Sequence, residues 1–151
     1  MERFIKANIL TIDMDLQNQD KPLEVLVIDD DEGVRLFLSN SLEFCGSNVT
    51  LASDGQEGID KYTSMYQAGT PYDLVLTDLN MPRKSGVDVV REIKTLSPTT
   101  PVYVVTGREA GQAYQSLATQ LGELKPDDVV QKPFNLRTLM NIIGSVRAKR
   151  K

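Results

Sequence analysis

The sequence predicts an α/β domain, a doubly wound five-stranded parallel sheet with five helices. Three observations predict it. Short β-branched runs alternate along the chain with stretches of helical apolar spacing. The strand runs are apolar at nearly every position, as in a sheet covered on both faces. The 151 residues, 40% hydrophobic and 25% charged, suit one globular domain with a short extra segment.

The first strand is Leu23-Glu-Val-Leu-Val-Ile28, followed by the acidic turn Asp29–Glu32. Val34, Phe37, Leu38, Leu42 and Cys45 then recur at helical spacing, and Gly46 stops the helix. On that face Cys45 reads as a small buried hydrophobe, not a reactive thiol. A weak strand spans Asn48–Ala52. Ser53-Asp54-Gly55 offers N-cap chemistry to a helix through Ile59, Tyr62, Met65 and Tyr66, closed near Gly69-Thr70-Pro71. Asp73–Asp78 is the third strand. Leu79–Ser85, which contains Pro82, is a loop before a helix carrying Val87, Val90, Ile93 and Lys94. Pro101–Thr106 has the strongest β-branched character in the chain. A helix at Ala110–Leu121 and a short strand at Asp128–Gln131 follow. The last helix places Leu136, Leu139, Met140, Ile142, Ile143 and Val146 on one face. Right-handed crossovers wind these helices onto both faces of the sheet. Residues 1–22 lie outside this unit as an N-terminal extension. Within it Leu10, Ile12, Met14 and Leu16 alternate with polar residues, which suits an edge strand, a partner contact or a frayed extension. The domain proper spans 23–148, with 149–151 a basic tail.

Composition excludes whole classes of chemistry. The chain has no histidine, so it holds no Ser-His-Asp triad, imidazole metal site or histidine acid–base switch. One cysteine excludes internal disulfides and thiolate zinc clusters. Of the 17 bases, four lie in the last five residues, leaving 13 bases against 21 acids in residues 1–146, a net of −8. A body that acidic repels nucleic acid, and the terminal Arg147-Ala-Lys-Arg-Lys151 reads as a solvated tail rather than a binding patch. No apolar run is long enough to cross a bilayer and no signal peptide is evident, so a cytoplasmic protein is expected.

Ligands of open parallel sheets bind beyond the carboxyl ends of the strands. Here those ends read Asp29-Asp30-Asp31, Asp78, Thr106 and Lys132-Pro133. Carboxylates brought together repel unless a cation intervenes, and without histidine or thiolate the fitting cation is a hard one, Mg²⁺. Capping of the first helix explains Asp31 and Glu32 well. It does not explain Asp29, still on the strand, or Asp78, across the sheet. The turn also lacks the glycines of a phosphate cradle, which argues against a nucleotide or flavin site. Gly107 leaves space beside the Thr106 hydroxyl for an oxyanion. Lys132 can act as a compact charge toward a phosphoryl oxygen, and the Lys132-Pro133 bond is a candidate cis peptide.

The combination VLVIDDDEGVR, LVLTDLNMPRKSG, VVTG and VVQKPF, in that order, resembles the response-regulator receiver domain, the CheY-like family of two-component signalling. The likeness covers Leu23 to Val146. It implies a flavodoxin-like strand order of 2-1-3-4-5, with Asp78 as phosphoryl acceptor. It implies Mg²⁺ on Asp29, Asp30, Asp78 and the main-chain carbonyl of Asn80. Thr106 would hold a phosphoryl oxygen and Lys132 would pair with the phosphoryl group, while Met81-Pro82 and Gly86 shape the loop. The partners implied are a sensor histidine kinase or phosphotransfer protein and a downstream protein target. No membrane or nucleic acid is among them, and a phosphorylation-dependent dimer is one form the output could take. The chain ends after the fifth helix, so no output domain is expected within it. Beyond assisting its own phosphorylation and dephosphorylation, no enzymatic activity is expected.

Three features depart from the family pattern. Val129 stands where many members carry an aromatic switch residue. Leu121–Asp128 is some residues longer than usual. Asn80 and Arg108 occupy the two positions at which the family tunes phosphoryl lifetime. The rival readings are a Mg²⁺-dependent phosphohydrolase or Toprim-like enzyme using the same carboxylates, and an unphosphorylated interaction module. The usual D-x-D of the former reads Asp78-Leu79-Asn80 here.

Overall fold

The computed structural model describes residues 21–150. The strands are β1 (Glu24–Ile28), β2 (Asn48–Ala52), β3 (Leu74–Asp78), β4 (Val102–Thr106) and β5 (Asp128–Gln131). They alternate with helices α1 (Glu32–Phe44), α2 (Gly55–Gln67), α3 (Gly86–Leu96), α4 (Ala110–Leu121) and α5 (Leu136–Lys149), and one 3₁₀ turn covers Gly122–Leu124. All neighbouring strands are parallel, in the order β2-β1-β3-β4-β5. This is the flavodoxin-like arrangement expected. Among the described residues no helix is long and apolar enough to cross a membrane.

The near-continuous apolar strands divide their side chains between two cores. Leu26, Ile28, Val75, Val102 and Val104 face α2, α3 and α4 through Tyr62, Val90, Ile93 and Leu117. Val25, Val27, Leu74, Leu76 and Val105 face α1 and α5 through Leu38, Leu42, Leu139 and Ile143. Each such side chain contributes roughly 1.5–3 kcal/mol on full burial. The helices begin where the sequence places capping groups. Asp31 accepts from the Val34 N–H, Asp54 from Glu57, and Ser85 forms a reciprocal capping box with Asp88.

Three side chains differ from expectation. Phe37 and Met140 are about half exposed, at 45% and 53%. The buried stripe of α1 is the narrow row Val34–Leu38–Leu42, and that of α5 is Leu139–Ile142–Ile143–Val146, so the neighbouring position on each helix turns to solvent. Phe37 instead packs edge-on against Phe134, ring centres 5.9 Å apart. Cys45 is half-buried at the C-cap of α1, and desolvation raises its thiol pKa, with the Arg147 charge opposing. Cys45 is expected to be buried; its burial is partial. The alternating segment Leu10–Leu16 lies outside the described residues. α5 extends to Lys149, and Arg147 and Arg150 both donate to the Lys21 carbonyl, at 3.4 and 3.2 Å.

Candidate functional site

The strand order reverses between β1 and β3: the chain leaves β1 for β2 on one side and returns to build β3, β4 and β5 on the other. Asp29 directly follows β1 and Asp78 ends β3, so the two acids sit on either side of this crevice. Asp29, Asp30 and Asp78 each offer a carboxylate oxygen, and the three oxygens lie within 4.8 Å of one another. Asp29 is 1% exposed, Asp78 half-buried and Asp30 exposed.

Local structure holds each acid in place. The Asp29 N–H donates to Ala52 O at 3.1 Å, which extends the β1–β2 ladder by one bond. Asp29 Oδ1 accepts the Asp31 N–H at 2.9 Å, and its main-chain carbonyl accepts Arg35 Nη1 at 2.7 Å. Asp78 Oδ1 accepts the Leu79 N–H at 2.8 Å. Gly86 is needed here for close approach: a Cβ would collide with the Asp78 carbonyl and Leu79 Cα.

Lys132 reaches the acids from the end of β5. Its Nζ lies 3.1 Å from Asp29 Oδ2 and 3.6 Å from Asp78 Oδ1, and the Lys132-Pro133 peptide is cis. Burial pushes the Asp78 carboxyl above the ordinary carboxylate range, and the Asp29 charge adds to the shift. Lys132 and the Leu79 N–H oppose it, and Asp30 raises it further. The lysine therefore offsets only part of the negative charge. The donor set is entirely oxygen and under-neutralised, which fits a hard divalent cation.

Thr106 ends β4, one residue past Val105, which pairs with Asp78. Its hydroxyl is buried and accepts the Arg108 N–H at 3.2 Å. A Cβ at Gly107 would meet nothing within 4 Å, so the backbone next to Thr106 is open on that side. Asn80 is exposed on the loop after Asp78. Thus Asp29, Asp30, Asp78 and Lys132 come together, and Thr106 and Asn80 border them.

The sequence reading missed two contributors. Arg35 fastens the Asp29 carbonyl, yet an arginine in the first turns of a helix carries no such signal. Arg83 adopts φ 68 and donates to the Asp54 cap from the loop after Asp78, at 3.2 Å. Neither the left-handed backbone nor the pairing of residues 29 apart is written in local spacing.

Comparison with known proteins follows the same lines. The response regulator MprA of Mycolicibacterium vanbaalenii is 36% identical over 121 residues, covering 79% of this chain and 48% of that protein. MprA of Mycobacterium avium is 37% identical over 120 residues, covering 78% and 48%. The chain spans about half the length of these curated relatives. Among solved structures, a response regulator receiver domain protein from Clostridium thermocellum superposes with a TM-score of 0.73 at 27% identity, covering 85% of this chain and 96% of that one. Chemotaxis response regulator CheY4 of Vibrio cholerae gives 0.70 at 26% identity, covering 83% and 99%. The family model of the response regulator receiver domain matches residues 25–144, a span that includes the three acids, Thr106 and Lys132. By that match the chain belongs to the response regulator receiver domain family.

Proposed function

We propose that this chain is the phosphoacceptor of a two-component relay and that Asp78 takes the phosphoryl group. The observation that carries the reading is the convergence of three carboxylates and one ammonium at the β1–β3 crevice. A carboxylate oxygen of Asp78 attacks phosphorus in line. The phosphorus–nitrogen bond of a donor phosphohistidine breaks, and its electron pair returns to the imidazole nitrogen. That imidazole lies outside these 151 residues, which contain no histidine, and a sensor histidine kinase or phosphotransfer protein would supply it. Asp29, Asp30, Asp78 and the Asn80 main-chain carbonyl would hold Mg²⁺, which would neutralise developing charge on the phosphoryl oxygens. Lys132 transfers its pairing from the acids to a phosphoryl oxygen. The Thr106 hydroxyl donates a hydrogen bond to another and turns toward it, pulling on the Arg108 N–H that it accepts. That movement shifts the β4–α4 loop and the surface read by a downstream target.

Treatment with acetyl phosphate and Mg²⁺, read by intact mass, tests the proposal. Wild type should gain one phosphoryl group and Asp78→Asn none. No adduct on wild type, or an equal adduct on the variant, refutes the acceptor assignment. An adduct that persists in excess chelator refutes the metal assignment. Turnover of added phosphoesters would favour a hydrolase.

A further inference from the structure

We propose that the Asp54–Arg83 pair is a latch that positions the cation site, so that affinity for a divalent cation depends on it. This deepens the reading above and rests on it.

Among the described residues Arg83 is the one non-glycine with positive φ, at 68. A bulky residue persists there only where its surroundings over-determine the conformation. Two contacts do so. Arg83 Nη1 lies 3.2 Å from Asp54 Oδ2, while Asp54 Oδ1 accepts the Glu57 N–H at 2.8 Å as the N-cap of α2. One carboxylate thus caps a helix and ties down a loop. Next along the chain, the Lys84 carbonyl seats against Gly55, the first residue of α2, where a Cβ would collide with it.

The other end of the same loop is equally fixed. Leu79 is buried, its N–H bonds Asp78 Oδ1, and its carbonyl accepts the Gly86 N–H at 2.8 Å. Between the two fastened points lie only Asn80, Met81 and Pro82. Proline holds its own φ, so a displacement at Arg83 passes to Asn80 with little play. Asn80 supplies the main-chain carbonyl in the proposed cation site.

Stability does not explain the arrangement. The Arg83 side chain is 63% exposed, and Asp54, though only 12% exposed, keeps the Glu57 N–H without it, so the pair contributes little to folding. Glycine at 83 would relieve the backbone at no steric cost. Simple electrostatics also predicts the opposite result from the latch: removing a cation from a loop that borders three carboxylates should tighten divalent binding.

The test uses Mn²⁺ as probe, with free ion counted by electron paramagnetic resonance, alongside thermal melts. Arg83→Gly should raise the Kd about tenfold, the low end for loss of an outer-shell partner, with a melting temperature equal to or above wild type. Asp54→Asn keeps a capping oxygen and should weaken binding similarly. The double variant should bind no more weakly than the weaker single, because both break one pair. A Kd for Arg83→Gly within about threefold of wild type, or a tighter one, overturns the latch. So does a double variant whose loss is the product of the singles. Wild type that binds no Mn²⁺, or binds it as well as Asp29→Asn does, instead sinks the underlying reading and takes the latch with it.

Discussion

Removing Asp127 should destabilise the domain more than removing its partner Lys94, although the two form one ion pair. Lys94 Nζ donates to Asp127 Oδ2 at 2.6 Å, Thr100 O at 2.8 Å and Pro98 O at 3.3 Å, which uses all three ammonium protons. Asp127 Oδ2 also accepts the Val102 N–H at 2.7 Å, and the Asp127 N–H returns to Val102 O at 2.9 Å. The side chains are unequally buried, Lys94 at 7% exposure and Asp127 at 26%. Asp127→Ala leaves a buried ammonium with carbonyls alone, and breaking a buried pair in this way costs about 3–5 kcal/mol. Lys94→Met leaves a carboxylate that keeps Val102 and admits water, so about 2 kcal/mol is expected. At about 3 °C per kcal/mol for a domain of this size, Asp127→Ala should lower Tm by about 10–15 °C. The double variant Lys94→Met/Asp127→Ala should recover part of that loss, since no unpaired charge remains. Urea and thermal unfolding followed by circular dichroism would measure all three. A loss below about 1 kcal/mol for Asp127→Ala, or a larger loss for Lys94→Met, would refute the reasoning.

Further outcomes follow from the site and the caps. Asp78 has its pKa raised in the folded state, so its ionisation opposes folding and the associated stability is lost as pH rises through the folded value. Metal-free Asp78→Asn should therefore melt above metal-free wild type at neutral pH, and an equal or lower Tm would contradict this. Lys132→Met removes a charge that lowers the Asp78 pKa, so carbon-13 titration of the metal-free protein should find the Asp78 carboxyl shifted further up; a downward shift would be inconsistent. Glu57 is lowered from 4.5 to about 2 by the Lys61 ammonium and then by the Ser53 N–H and hydroxyl. Its contribution is present above about pH 4.5 and lost as pH falls toward 2. The stability gap between wild type and Glu57→Gln, under about 1 kcal/mol for so exposed a pair, should close over that range in acid urea melts.

The fold was legible because its strands are short apolar runs and its helices start at side-chain caps, both of which are local signals. Asp31 and Asp54 each stand one residue before the helix they cap. The site was legible for a related reason: strand ends are readable, and in this topology they converge. What stayed hidden depends on the third dimension. Helical spacing identified an apolar face on α1 and α5 but not its width, so Phe37 and Met140 were assigned to the core. Lys94 fell on the inner face of α3, yet its charge gave no hint that Asp127 waits 33 residues later to receive it. From sequence the Leu121–Asp128 segment reads only as some residues longer than the family pattern. In the fold it is a 3₁₀ turn followed by the bridge from Asp127 to Val102.

Val129 poses a sharper question, because it stands where the resemblance implies an aromatic switch residue. Here it is 7% exposed and belongs to the same core as Ala113, Leu117 and Leu121 of α4. Its N–H is closed by the Asp128 carboxylate at 2.8 Å. A β-branched side chain so placed has a restricted χ1 and no polar tip to move between partners. The connections at the ends of β4 and β5 start from backbone N–H groups: Arg108 N–H to the Thr106 hydroxyl, Lys132 N–H to Thr106 O at 2.7 Å, and Ala110 N–H to the Gln131 side-chain Oε1 at 3.3 Å. Any change at the Thr106 hydroxyl therefore acts first on the loop that starts α4, not on an aromatic ring. Charge arithmetic sets the direction of that change. Three ionised carboxylates against one ammonium leave two negative charges, which one divalent cation neutralises and a monovalent one does not. In the proposed relay the ammonium is part of that balance, so Lys132 would stay beside Asp29 and Asp78 when a divalent cation binds and would turn to an anion only as one enters.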